Sequence, residues 1–253
     1  MFQRSRPHTF IGLLVLLSSA CGGGDAPKAT RQPTPLDLST TGIITGVVRF
    51  AGAVPEQSIA QLSGWSECAG QHPEGNPKAG DVLINDGKLQ NAMVHIKDGL
   101  GNRVFALPST AAVLDQKGCI FIPRVLGMQT DQPLQMLNSD PLAHNVHGLP
   151  KNSASWNFSL GVKGMSRTTS IAKSETMIEV KCDVHPWMRT YVGVFDHPYF
   201  MLSGTDGVFA LKDVPPGEYT VEAWHERFGV QTQKVILGTK ETKTLEFIFK
   251  AGG

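Results

Sequence analysis

Cys182-Asp183-Val184-His185-Pro186-Trp187-Met188 places a thiol, an imidazole and a thioether within seven residues, between two runs that read as strands, Met177 to Lys181 and Tyr191 to Phe195. Ile178 and Val180 alternate in the first run, and Tyr191, Val192, Val194 and Phe195 make the second β-branched and aromatic. The stretch therefore reads as a short loop joining two strands and presenting three soft or borderline donors at one point. Upstream, Asn138-Ser139-Asp140-Pro141-Leu142-Ala143-His144-Asn145-Val146-His147 offers a further imidazole, from His144 or from His147. Two His, one Cys and a weakly held Met are the donor set of a mononuclear copper electron-transfer centre. Thiolate and thioether suit Cu(I), and imidazole suits both oxidation states. Zinc fits less well, because Met is a poor zinc donor and no further hard ligand is at hand. A nucleophilic Cys182 would need an orienting partner that the neighbouring sequence does not supply. The plain structural alternative makes Cys182 half of a disulfide, His185 a turn residue and Met188 core.

Outward from this loop the chain reads as β structure. Short strand candidates, apolar or alternating, recur at Ile44 to Phe50, Ala92 to Lys97, Cys119 to Val125, Leu134 to Leu137, Trp156 to Leu160 and, in the last fifty residues, Val208 to Leu211, Tyr219 to Trp224, Lys234 to Leu237 and Leu245 to Phe249. Asp86-Gly87, between Val82 to Asn85 and Lys88-Leu89, is a tight-hairpin pair. Pro55 to Trp65, with Ile59, Leu62 and Trp65 at steps of three, predicts at most one short helix. No long amphipathic helix appears in the body, and many short strands between turn signals predict an all-β sandwich or Greek-key barrel. The 27 Gly and 16 Pro among 253 residues agree with a turn-rich β protein. A formal net charge of +1 excludes the electrostatic footprint of a nucleic-acid binder.

The N-terminus reads as an address. Arg4 and Arg6, an apolar run from Phe10 to Leu17 and Ser18-Ser19-Ala20 before Cys21 predict a signal peptide over 1–20. Cys21 follows the small residues as in a bacterial lipoprotein cleavage box, with Ser18 where Leu is usual, which predicts lipidation there; ordinary cleavage after Ala20 is the alternative. Gly22-Gly23-Gly24, Pro27, Pro33 and Pro35 predict a flexible tether over 21–42. Localisation is therefore expected outside the cytoplasm, in the periplasm or at the outer membrane, where disulfides persist.

Within this frame the chain resembles a cupredoxin. The compact Cys-x2-His-x2-Met loop with Pro after the His is similar to that of amicyanin and pseudoazurin, and Phe121-Ile122-Pro123, Leu134 to Asp140 and His144-Asn145 follow the order usual in that family. The resemblance covers 43–200 and implies a cupredoxin Greek-key sandwich with an N-terminal β extension. It implies one copper ion cycling between Cu(I) and Cu(II), with His144, Cys182 and His185 as strong ligands and Met188 axial. Asn145 is then a hydrogen-bonding brace of the ligand loop and His147 peripheral. It further implies that His185 reaches the surface in an apolar patch bearing Pro186 and Trp187, through which electrons pass; Trp187 packed on a second domain is the alternative. Residues 201–253 resemble the small carboxypeptidase-regulatory-like β-sandwich modules, on Gly207-Val208-Phe209, Val214-Pro215-Pro216-Gly217 and Tyr219-Thr220-Val221.

The remaining cysteines, Cys68 and Cys119, are expected to form a disulfide, the pairing that leaves Cys182 free for metal; two separate buried thiols are the alternative. His95 is expected to be a packed or surface residue, and His197 and His225 interdomain hydrogen-bonders. The leading expectation is an electron carrier, not an enzyme, passing single electrons between periplasmic redox proteins such as a cytochrome or oxidoreductase and held to a membrane by its lipid. Copper storage or delivery, or a structural or adhesive surface module, are the alternatives.

Overall fold

Ile44, Val48 and Phe50, with Gly46 between them, fall on one side of a strand, and that alternation buries one face of the first strand completely. In the computed structural model, which describes Met1 and residues 32–252, the described residues are all β apart from one short helix. Its elements in chain order are β1 (Gly42–Ala51), α1 (Ser66–Gly70), β2 (Ile84–Asn85), β3 (Lys88–Leu89), β4 (Met93–Asp98), β5 (Ala112–Gln116), β6 (Phe121–Ile122), β7 (Val125–Gln129), β8 (Leu134–Asn138) and β9 (His144–Leu149). There follow β10 (Trp156–Leu160), β11 (Ser166–Thr169), β12 (Glu175–Lys181), β13 (Arg189–Phe195), β14 (Phe200–Leu202), β15 (Val208–Val214), β16 (Gly217–His225), β17 (Gly229–Leu237) and β18 (Thr242–Lys250).

Four sheets make two sandwiches. One sheet runs β10-β9-β12-β13-β7 and faces another, β11-β8-β5-β6, across a core that includes Leu114, Met128, Leu134, Met136, Val146, Ile178, Val180 and Val192. β7 joins β13 in parallel, and β5 joins β8 in parallel, so these pairs are closed by crossovers and not by hairpins. The second sandwich packs β15-β1-β3-β2, with β18 also on β1, against β14-β4-β16-β17. Its core holds Ile44, Val48, Ile96, Phe209, Val221, Phe247 and Phe249.

The second sandwich corrects the sequence boundaries. Residues 201–253 do not make a separate module: β18 pairs in parallel with β1 from Ile43↔Thr242 to Ala51↔Lys250, and β16 pairs with β4. The N-terminal extension of the expected 43–200 domain is therefore shared, with β1 to β4 completing the C-terminal sheets. The physical reason is visible in β4. Val94 and Ile96 face the second core, while Met93 on the opposite face meets Val125 and Phe195, so all four of Met93 to Ile96 are buried and the strand must be covered on both sides. His95 on that strand is buried and its Nε2 lies 3.2 Å from Glu222 Oε1, while Lys97 donates to Oε2 of the same carboxylate.

Other departures are local. The helix begins after Trp65, not between Pro55 and Trp65: Ile59 makes an isolated bridge with Lys78 while Leu62 and Ala60 are buried, which holds that stretch extended. The expected strand from Cys119 is delayed to Phe121 because Gly118 and Cys119 both adopt left-handed backbone, at φ of +67° and +53°. Part of the expected tether is fastened: Thr34 donates its N–H to Val104 O, and Lys240 reaches Thr40 O and Leu38 O. His197 and His225 are buried, and each accepts a backbone N–H two residues on, from Tyr199 and Arg227, so both cap local turns, while His197 also bonds the backbone of Ile96 on β4. Burial holds both well on the neutral side, down to about 4. The signal segment, Cys21 and residues 21–31 lie outside the described residues. Among the described residues no helix is long and apolar enough to cross a membrane.

Candidate metal centre

β12 and β13 form an antiparallel hairpin whose last pair is Lys181↔Arg189, and the seven residues between them are the loop read from sequence. The loop is closed by its own backbone, since Cys182 donates its N–H to Met188 O and Met188 donates to His185 O. These bonds curl the loop so that Cys182 and His185 face the same interior point. β9 pairs with β12 and opens at that end of the sheet with His144. His144, Cys182 and His185 are all buried, and one donor atom from each lies within 4.8 Å of the others. The two imidazoles meet through their Nδ1 atoms at 2.9 Å, with Cys182 Sγ 3.7 Å from His185 Nδ1. Met188 closes the loop through its backbone and is buried in the adjoining core.

The surroundings prepare these donors. Asp140 sits four residues before His144 and takes the outer nitrogen, Nε2, at 2.9 Å. That fixes the ring and leaves Nδ1 facing the cluster, the arrangement by which a carboxylate orients an imidazole ligand. Asp140 is itself held by the N–H groups of Gly118 (2.6 Å) and Cys119 (2.8 Å). Their left-handed backbone turns both N–H groups toward one carboxylate, as in anion-binding nests. Left-handed Cys119 costs on the order of 1 kcal/mol, which two charge-assisted hydrogen bonds offset. Burial opposes charge on both His144 and Cys182, yet each is overruled. Asp140 and the sulfur raise His144 to about 9, and His144, His185 and the N–H groups of Asn145 and His185 bring Cys182 down to about 6. A thiolate at neutral pH is the form that binds metal.

Asn145 braces the loop from β9. Its Oδ1 lies 3.2 Å from Cys182 Sγ and accepts the Asp183 N–H at 2.7 Å, while its Nδ2 donates to Asn157 and Asp183. Gln116 donates to the Asn145 carbonyl. His147 points out of the sheet to Asp183, at 2.9 Å from Oδ2, and stays outside the cluster. Pro186 is exposed, as expected of a surface loop.

Two features depart from expectation. His185 does not reach the surface: it is 1% exposed and its Nε2 has no hydrogen-bond partner. Trp187 neither extends an open patch nor packs on the second sandwich. It is half-buried, donates its indole N–H to Cys119 O at 2.8 Å and lies 5.3 Å from the His185 ring. What covers His185 is Trp65, whose ring centre is 4.8 Å away. Neither Trp65 nor Asp140 was assigned a role from sequence. A carboxylate four residues ahead of an imidazole was a readable signal for Asp140; nothing local marked Trp65, 120 positions from His185.

Cys68 and Cys119 are joined in a disulfide of 2.05 Å that closes a loop over a separation of 51 residues, and Cys182 is the free cysteine among the described residues. Sulfur from that pair also lies near His185 and Asp140, but bonded cysteines are not thiolate ligands, so those groupings offer no second donor set. By loop-closure entropy the bridge contributes about 4 kcal/mol. The double variant Cys68→Ser/Cys119→Ser is expected to lose stability of that order in denaturant unfolding, with loss below about 1 kcal/mol showing that the segment is held by packing alone.

No family model matches the chain, and no curated protein matches it. Among solved structures it is partly similar to cupredoxins. A copper-containing nitrite reductase from Thermus scotoductus SA-01 is 19% identical, over 38% of this chain and 24% of that one, at a TM-score of 0.32. A mutant of amicyanin in the Cu(I) state is 19% identical, over 40% of this chain and 97% of that one, at 0.30. A purple cupredoxin from Nitrosopumilus maritimus is 18% identical, over 33% and 98%, at 0.29. This chain thus spans about a quarter of the nitrite reductase. Each likeness covers less than half of this chain, and none assigns it to a family.

Proposed function

We propose that the chain is an exported copper protein that carries single electrons between redox partners. The observation that carries this reading is the meeting of two imidazole Nδ1 atoms and one acidified thiol at a single buried point. The donor set fits copper: His144, Cys182 and His185 would hold one ion strongly, and Met188, buried at the end of the same loop, would be the weakly held fourth donor. Bound copper would supply a one-electron couple between Cu(I) and Cu(II), both of which this mixture of sulfur and nitrogen accepts. Everything else is done by the chain. Asp140 fixes His144, Asn145 fixes the loop, and the closed Cys182–Met188 turn holds its donors facing one point.

A carrier agrees with the burial better than an enzyme does. All three donors are buried, which an electron can cross and a bulky substrate cannot. The disulfide suits an oxidising compartment, and with the signal and Cys21 it supports a lipid-anchored protein outside the cytoplasm. Its partners are then periplasmic redox proteins, a cytochrome or an oxidoreductase. The second sandwich, built on β1 to β4 and β14 to β18, is read as a regulatory-like β module with a structural role.

Loading purified protein with Cu(II) is the test. The expected result is an intense visible absorption that ascorbate bleaches and re-oxidation restores. Tight uptake of Cu(I) alone, without colour, would overturn electron transfer in favour of storage or delivery. No uptake of either ion would overturn the metal reading itself.

A further inference from the structure

The cover over His185 comes from a segment that lies between β1 and β2 and contains the one helix of the described residues. Trp65 precedes α1, and its indole lies 4.8 Å from the His185 ring at 60° and 5.6 Å from Trp187 at 80°, edge to face. Trp65 itself is 37% exposed, so one side of the indole meets solvent while the other shuts off the imidazole. The segment is fastened on both sides of Trp65. Before it, Ala60 and Leu62 are buried in the first core, and Ser58 is bonded to Asp81, which Arg227 also holds. After it, the Cys68–Cys119 disulfide, the Gln71 amide on Cys119 Sγ and His72 on Gly118 O tie α1 to the turn that holds Asp140. His185 Nε2, buried and unpartnered, is the second independent observation. Such a nitrogen is costly to keep from water, so the cover is held shut against a pull toward solvation.

We propose that Trp65 is a positioning residue of the metal site: it closes the outer edge of His185, fixes the ring, and makes the indole, not the imidazole, the surface that solvent, small molecules and redox partners meet. The disulfide is the fastening that keeps the indole there. The consequence for electron transfer rests on the copper reading above, but the closure itself is a property of the metal-free chain. Reactivity of apo His185 therefore separates the two ideas.

The experiment is acylation of the metal-free full chain with diethyl pyrocarbonate, mapped by peptide mass spectrometry, with the partly exposed His147 as internal reference. In the unaltered protein His185 should react far more slowly than His147. In Trp65→Ala it should react about tenfold faster or more, because a buried group reacts only through local opening, and that opening is no longer needed. Trp65→Phe should restore slow reaction. Trp65→Val, a milder truncation, should move the rate the same way and stands in if the Ala variant loses its fold, as judged by an altered His147 rate. Equal His185 rates in the unaltered and truncated proteins would overturn the proposal. In copper-loaded protein, Trp65→Ala should lower the reduction potential, since water at the ligand edge favours the more highly charged Cu(II), and Trp65→Phe should hold the original value. A potential unmoved by Trp65→Ala would overturn the positioning role. Failure of the unaltered protein to take up copper would overturn the function proposed above and leave the acylation result standing.

Discussion

Cys182→Ser is expected to abolish the visible absorption of the copper-loaded protein and to weaken copper binding by at least about 100-fold, since loss of an outer partner alone already costs 10–100-fold. The fold should survive. Cys182 is buried, Ser is close to it in shape, and the hydroxyl can still reach Asn145 Oδ1, which now lies 3.2 Å from the sulfur. What Ser cannot supply is a thiolate. The environment of Cys182 is built for one: two imidazoles and two backbone N–H groups overcome burial and bring the thiol to about 6, whereas a serine hydroxyl remains protonated throughout the accessible pH range. The substitution leaves both imidazoles in place, with Nδ1 atoms 2.9 Å apart in the unaltered protein, so residual, colourless binding to His144 and His185 is consistent with the assignment. Optical titration with Cu(II) and competition with a chelator measure both effects. A visible band that persists in Cys182→Ser would place the chromophore elsewhere and remove Cys182 from the donor set.

The donor loop was legible because its chemistry is local. Cys182, His185 and Met188 sit between two strand patterns, and a hairpin must bring the ends of its loop together whatever the rest of the fold does. His144 was legible through the order of motifs. Many strands of both sandwiches were legible as short apolar or alternating runs, but β5, β9, β11 and β14 were not, nor was the partnership of the strands: nothing in Ile44 to Phe50 says that its parallel neighbour is Leu245 to Phe249, nearly the whole chain away. Pairing at such separation is decided by which hydrophobic faces remain uncovered, a property of the assembled core and not of a window of sequence. The same limit hid Trp65. A lone aromatic ahead of a five-residue helix reads as a loop residue, and its meaning depends on a disulfide whose other half lies 51 positions on. His185 was expected at the surface because the resemblance to cupredoxins implied it; here the cover is supplied by another part of the chain.

Asp140→Asn carries the second large effect, and it tests whether the site is prepared before metal arrives. The carboxylate accepts three N–H groups, from Gly118, Cys119 and His144 Nε2, with Cys119 and His144 sharing Oδ2. An amide has one acceptor oxygen. In either orientation its NH2 group faces at least one of these donors, so a donor meets a donor in a place that water does not reach. The cost is expected to be about 3 kcal/mol in denaturant unfolding of the metal-free protein, the range for breaking a buried ion pair by removal of one partner. Part of it arises because Cys119 loses the bond that offsets its left-handed backbone, and the turn carrying the disulfide loosens with it. Copper affinity should fall a further 10–100-fold, since His144 is no longer held with Nδ1 facing Cys182 and His185. Asp140→Glu should not rescue either effect, because the longer side chain cannot keep both backbone N–H groups and the imidazole at hydrogen-bonding distance in a fully packed pocket. Wild-type stability and wild-type affinity in Asp140→Asn would show that His144 is oriented by packing alone.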